Sequence, residues 1–320
     1  MKIGEIKIKI TRACCAIFIY IGVLSAVNTA LTVIFEVIRS LNSKYGSITE
    51  NINIAENICL GLTNVASYIA SVLIYKTAYS SEYRHIRFDL RLGTFPFSKI
   101  TACLGLVVAS SHIMRYFGYG GSEYINPIHG EDIIIMMFTT VLVPAFCEEL
   151  FFRGLIMTNL MPLGRNFAII SSGILFGLAH ANHDQILFAS IAGIALGYIY
   201  AESGSIWCGI IIHMMNNFIS VTETVIVGNL KYSTALIICS IIELTVLICG
   251  AASLLYLVFK LKNEKSEIIN KGFFATPSEK LLDNGVRYST TEYLRGFFCP
   301  AMIIFIVYIL ICEVIYVGVY

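Results

Sequence analysis

Pro144-Ala145-Phe146-Cys147-Glu148-Glu149-Leu150-Phe151-Phe152-Arg153 places three charges inside an otherwise apolar run that extends over residues 132–156. In a soluble protein such a run would be a core helix. The remainder of the chain decides against that reading, because 57% of its 320 residues are hydrophobic and only 13% are charged. An ordinary soluble domain carries about 25% charged residues. Runs of similar length recur from end to end, which is the pattern of transmembrane helices. The fold class expected is therefore all-α, a polytopic membrane helical bundle of about 8–9 transmembrane helices.

Nine spans are expected, at about 13–38, 56–75, 101–119, 132–156, 167–182, 186–201, 205–227, 234–259 and 298–319. The segment before the first span carries Lys2, Lys7, Lys9 and Arg12, and Ser25-Ala26-Val27 resembles a cleavage site. The apolar stretch continues to about Val37, however, which is long enough to span and favours an uncleaved helix. With the N-terminus cytoplasmic, the inner loops collect seventeen Lys and Arg, among them Lys76, Arg84, Arg87, Arg91, Lys99, Arg165, Lys260 and Arg287. Only Arg39, Lys44 and Lys231 fall outside, beside Glu123, Glu131 and Asp132. That asymmetry obeys the positive-inside rule and predicts a multi-pass protein of the plasma membrane. The basic loop between Lys76 and Lys99 reads as a topology signal in contact with anionic lipid, with no nucleic-acid partner. The ten cysteines contain no CxxC pair and read as small buried hydrophobes.

Charge at bilayer depth costs at least about 2.5–3.5 kcal/mol on insertion scales, so such residues mark candidate sites. Glu149 and Arg153 lie four apart and share one helical face, where they can pair. Glu148 points about 100° away and is free to face a cavity. Pro144 removes a backbone hydrogen bond one turn earlier and favours a kink. Two further sets follow: Phe176 with His180, then His213 with Asn216 and Asn217. The turn Met161-Pro162-Leu163-Gly164-Arg165-Asn166 joins two antiparallel helices. Glu148 and His180 are each roughly 20 Å from that turn at the α-helical rise, and His213 and Asn217 lie roughly 14–20 Å beyond Gly204. All four can therefore share one level. Gly173, Gly177, Ala189, Ala192 and Gly193 read as close-packing positions.

A carboxylate beside an imidazole can activate water as a general base. A second histidine with an asparagine amide supplies donors for the oxyanion of a tetrahedral intermediate. Together they make a hydrolase site. Other intramembrane protease signatures are missing, with neither HExxH nor GxGD present, and Ser205 in Glu202-Ser203-Gly204-Ser205 reads as a turn. His183-Asp184 reads as a polar exit loop. His112 and Arg115 are candidates to face the cavity or contact substrate. Trp207 reads as an interfacial anchor.

Glu148-Glu149-x3-Arg153, Phe176-x3-His180 and His213-x3-Asn217, in that order and on separate helices, resemble the CPBP family of intramembrane proteases. That family contains the type II CAAX prenyl endopeptidases and the bacterial Abi proteins. The resemblance covers about residues 130–225, and suggests a catalytic core at 130–227 between N-terminal helices with a basic loop (1–129) and C-terminal helices (228–320). It implies that Glu148 and His180 activate water, Glu149 and Arg153 position that carboxylate, and His213 and Asn217 stabilise the oxyanion. Phe176 would pack beneath His180, and Asn216 would support the substrate side. It also implies glutamate-dependent catalysis without a cofactor. The alternative is zinc held by Glu148, His180 and His213, since three protein ligands and a water suffice. The implied partners are a peptide or protein substrate, lipidated or membrane-bound, and the surrounding lipids. The Ile-, Asn- and Lys-rich usage suggests a bacterial setting, where bacteriocin processing or peptide maturation is the expected role. A non-enzymatic immunity or transporter-like protein is the alternative.

Overall fold

A computed structural model describes residues 2–45, 50–78, 97–116, 128, 130–263 and 288–319. The loops at 79–96 and 264–287 and the side chains of Arg115 and His183, on which some expectations rest, lie outside the described residues. Among the described residues every element is helical.

Helices α1 (Lys2–Tyr45) and α2 (Glu50–Ala78) pack against each other, followed by α3 (Phe97–Tyr116). A helical run over 130–163, here α4, contains two π-helical stretches, Met137–Leu142 and Leu150–Met157, on either side of the α-helical turn Val143–Glu149. Gly164, at φ 123°, reverses the chain into α5 (Arg165–Ala179). The bundle continues with α6 (His183–Ser203), α7 (Ile206–Asn229), α8 (Tyr232–Asn263), α9 (Thr290–Phe297) and α10 (Pro300–Val319).

Among the described residues, six helices are long and apolar enough to cross a membrane: α1, α2, α4, α6, α7 and α8. The bent pair Thr290–Phe297 and Pro300–Cys312, meeting at 56°, makes a seventh crossing if it is one span. The shortfall from nine lies in α3 and α5. The 15 residues of α5 reach only about 22 Å, short of a hydrocarbon core about 30 Å thick. Ahead of the expected ninth span stands the short helix Thr290–Phe297, started by the capping box of Ser289 and Glu292, and Pro300 starts a new helix after the bend.

Small residues set the closest helix contacts. A Cβ on Gly105 would stand 2.7 Å from the Gly250 Cα, which brings α3 and α8 backbone to backbone. A Cβ on Gly193 would lie 2.9 Å from the Gly173 Cα, so α5 and α6 meet in the same way. Lipid exerts no hydrophobic drive between helices, and close approach of this kind supplies van der Waals contact instead. Leu236, Ile237, Ile241, Leu244 and Ile248 remain exposed along α8, as suits a lipid-facing surface.

One end of the bundle is tied by polar contacts. Lys9 Nζ donates to the Asn159 carbonyl at 3.1 Å, and Tyr293 Oη donates to the Leu163 carbonyl at 2.5 Å. Glu202 accepts from both Lys99 (2.6 Å) and Arg165 (2.8 Å). Residues that charge patterning assigns to one membrane face thus gather at one end.

Candidate active site

The α-helical turn Val143–Glu149 presents Glu148 and Glu149 in different directions, as a 100° step per residue requires. Glu149 points inward. Its side chain and that of Arg153 are both 0% exposed, and Arg153 Nη1 donates to Glu149 Oε1 at 2.8 Å. A buried guanidinium needs more than one acceptor. The second is the Gly193 carbonyl on α6, 2.9 Å from Nη2. The Phe176 ring covers the guanidinium at 4.7 Å, a cation–π contact.

His213 joins this buried pair from α7. Its Nδ1 is 3.1 Å from Glu149 Oε1. A carboxylate oxygen accepts, so Nδ1 carries a hydrogen and Nε2 points away from that bond. That Nε2 is 3.9 Å from Glu148 Oε2, too far for a direct hydrogen bond. Arg153, Glu149 and His213 therefore form a relay that aims an imidazole at Glu148. Gly209, one turn before His213, makes the room: a Cβ there would stand 2.7 Å from Glu149 Oε2.

His180 is arranged in parallel. It ends α5, where its Nδ1 donates to the Phe176 carbonyl at 2.9 Å and leaves Nε2 free. Phe176 touches both imidazoles edge-on, with centroids 4.9 Å from His180 and 5.9 Å from His213. Beyond them opens a cleft of about 40 Å³ lined by Phe176, His180, Phe188, His213, Asn216 and Asn217. Asn217 Nδ2 donates to the Thr140 carbonyl at 2.9 Å, and Asn216 Nδ2 donates to Asn217 Oδ1 at 3.2 Å. Glu148 is not among the groups lining that cleft. Its carboxylate lies within electrostatic range of Tyr20 and Tyr68, whose rings stack at 4.1 Å where α1 meets α2.

The expected residues thus gather in one region, and the imidazole within 4 Å of Glu148 is His213, not His180. Gly193 was legible as a close-packing position but not as the acceptor for Arg153, and Gly209 escaped sequence reasoning, although it stands four residues before His213 on one face. His112 does not face this cleft; its Nδ1 lies 2.8 Å from Glu243 Oε2 on α8. Trp207 packs edge-on against Phe146 at 5.8 Å. Asn182, before Asp184, caps α6 by accepting from the Asp184 N–H at 2.9 Å. Among the described residues, no three His, Cys, Asp or Glu stand together as a metal-ligand set, and Glu148, His180 and His213 do not converge on one point.

Residues 130–219 match the family model described as Type II CAAX prenyl endopeptidase Rce1-like. The chain is also 28% identical over 179 residues to a Bacillus subtilis (strain 168) protein named "Putative membrane peptidase YdiL", an alignment that covers 51% of this chain and 72% of the relative. No solved structure matches. The matched segment contains Glu148, Glu149, Arg153, Phe176, His180, His213, Asn216 and Asn217. Over residues 130–219, then, this chain is similar to the type II CAAX prenyl endopeptidases.

Proposed function

We propose that the chain is an intramembrane endopeptidase in which Glu148 activates water for attack on a peptide carbonyl. The observation that carries the reading is the buried relay from Arg153 through Glu149 to His213, which ends 3.9 Å from Glu148. A relay without solvent access costs desolvation energy and invites a functional explanation. In the proposed reaction the water oxygen bonds to the carbonyl carbon while its proton passes to the Glu148 carboxylate. Collapse of the tetrahedral intermediate breaks the C–N bond, and Glu148 returns the proton to the leaving amine. His213 and His180 face the reacting atoms from α7 and α5: each Nε2 accepts from the attacking water and orients it, and donates to the developing oxyanion only once its ring has taken up a second proton.

The reaction is proposed to run on glutamate rather than zinc, the donor set for zinc being dispersed in this arrangement. The substrate is proposed to be a membrane-associated or lipidated polypeptide, or a peptide precursor of the kind matured in bacteriocin processing. The end holding Lys9, Arg165 and Arg295 is proposed to face the cytoplasm.

The test is cleavage of quenched peptides by purified protein in detergent or nanodiscs. Wild type should cleave, Glu148→Gln and His180→Ala should not, and both variants should keep their melting temperatures near wild type. Activity should persist in strong chelators. A wild type that cleaves no peptide, or a Glu148→Gln variant that cleaves at the wild-type rate, would replace this reading with an immunity or transporter-like one.

A further inference from the structure

In an α-helix the carbonyl of residue i accepts from the N–H of residue i+4. For Thr140 that partner is residue 144, which is proline and has no N–H. Thr140 lies on the exposed surface of the bundle, where surrounding lipid offers a carbonyl no replacement donor. The chain responds in two ways. Around Thr140 the helix widens into the π-helical stretch Met137–Leu142, so that the Val143 N–H reaches back five residues to the Phe138 carbonyl and no longer serves residue 139. At Thr140 itself, the donor comes from another helix: Asn217 Nδ2, 2.9 Å from the Thr140 carbonyl oxygen.

Two details fix this contact in place. Asn216 Nδ2 donates to Asn217 Oδ1, which turns the Asn217 amide group toward Thr140. His213, four residues before Asn217 on the same face of α7, grips Glu149 at 3.1 Å. Helix α7 therefore holds α4 at Thr140 and at Glu149, on both sides of the turn that presents Glu148.

We propose that Asn217 is a positioning residue: its side-chain amide stands in for the N–H that Pro144 lacks, and so fixes the Glu148-bearing turn against α7. Its structural half stands on the contact alone, and its catalytic half rests on the endopeptidase reading. The second hydrogen of the Asn217 amide remains for the cleft. The proposal adds an indirect route by which Asn217 matters, through the register of the kinked helix. A displacement of the order of 1 Å at a reacting group can cost about a hundredfold in rate, so this route can be large.

The experiment is a double-mutant cycle on full-length purified protein with Asn217→Ala and Pro144→Ala, read by melting temperature and by peptide cleavage. Pro144→Ala restores a backbone donor to Thr140, so Asn217→Ala should lower the melting temperature much less on that background than on wild type. Asn217→Ala alone should depress kcat about a hundredfold with KM little changed, and Pro144→Ala should recover part of that loss. Additive melting shifts would overturn the proposal, and they can be read even if the wild type cleaves no peptide. Non-additive melting with a kcat loss that Pro144→Ala leaves untouched would overturn the catalytic half and leave Asn217 as a direct oxyanion donor. Should Pro144→Ala fold poorly, Pro144→Leu restores the same donor with a side chain suited to lipid.

Discussion

Arg153 and Glu149 are one helical turn apart, both wholly enclosed, with Nη1 2.8 Å from Oε1. Removing one partner strands the other charge. Arg153→Leu is expected to destabilise the fold by about 3–5 kcal/mol, with Glu149→Gln/Arg153→Leu recovering part of the loss. Thermal unfolding of the three proteins in one detergent measures this. If the single and double variants melt together, the pair does not behave as a buried ion pair.

The two imidazoles differ in what they hold. His213 contacts Glu149, whereas His180 contacts the Phe176 carbonyl at the end of α5. Both alanine variants should therefore lose about 10²–10⁴-fold in kcat, but His213→Ala should also lower the melting temperature. Kinetics and melting curves on the same preparations separate the two effects. A His213→Ala protein as stable as wild type would mean that the bond to Glu149 contributes nothing.

Gly209 leaves no room for a side chain beside Glu149 Oε2. Gly209→Ala should push that carboxylate aside and cost about 1–3 kcal/mol, with activity falling alongside. Gly22, where a Cβ would meet nothing within 4 Å, is the matched control. Gly22→Ala should be neutral or slightly stabilising. Equal effects at the two positions, by melting temperature, would contradict this packing.

Glu202 binds Lys99 on α3 and Arg165 at the head of α5. All three side chains retain some solvent contact, so Glu202→Gln should cost only about 1 kcal/mol. The difference from wild type should shrink in high salt, as screening of partly exposed charges requires. Unfolding midpoints measured across a salt series test it; an effect that grows with salt would rule it out.

Much of this arrangement is legible in the residues themselves. Apolar run lengths locate the helices, and the rise per residue predicts that Glu148, His180, His213 and Asn217 share one level. Rise specifies depth but not rotation. Whether His180 or His213 turns toward Glu148 depends on helix crossing angles, and those are set by contacts such as Gly173 with Gly193 that sequence spacing does not locate. The same limit explains His112, whose partner Glu243 is 131 positions away on a helix outside the matched segment. Gly209 carries no chemistry of its own, and its role appears only once the carboxylate it accommodates is in place. The nine expected spans and the six or seven helices long enough to cross among the described residues differ because apolarity alone cannot distinguish a full crossing from a 15-residue helix packed among its neighbours.

Helices α1 and α10 interlock through Cys14 and Met302, 288 positions apart, and through the edge-on pair Phe18 and Phe305. Tyr288 and Gly296 extend the clasp to Glu5 and Ile6. During membrane insertion α1 emerges long before its partner, so the face carrying Ile10, Cys14 and Ile17 must wait against lipid or against an insertion factor. A helix that enters before α10 is thus among the last to find its final neighbours. Premature termination anywhere before α10 would strand that face, giving membrane quality control a surface by which to recognise an unfinished chain.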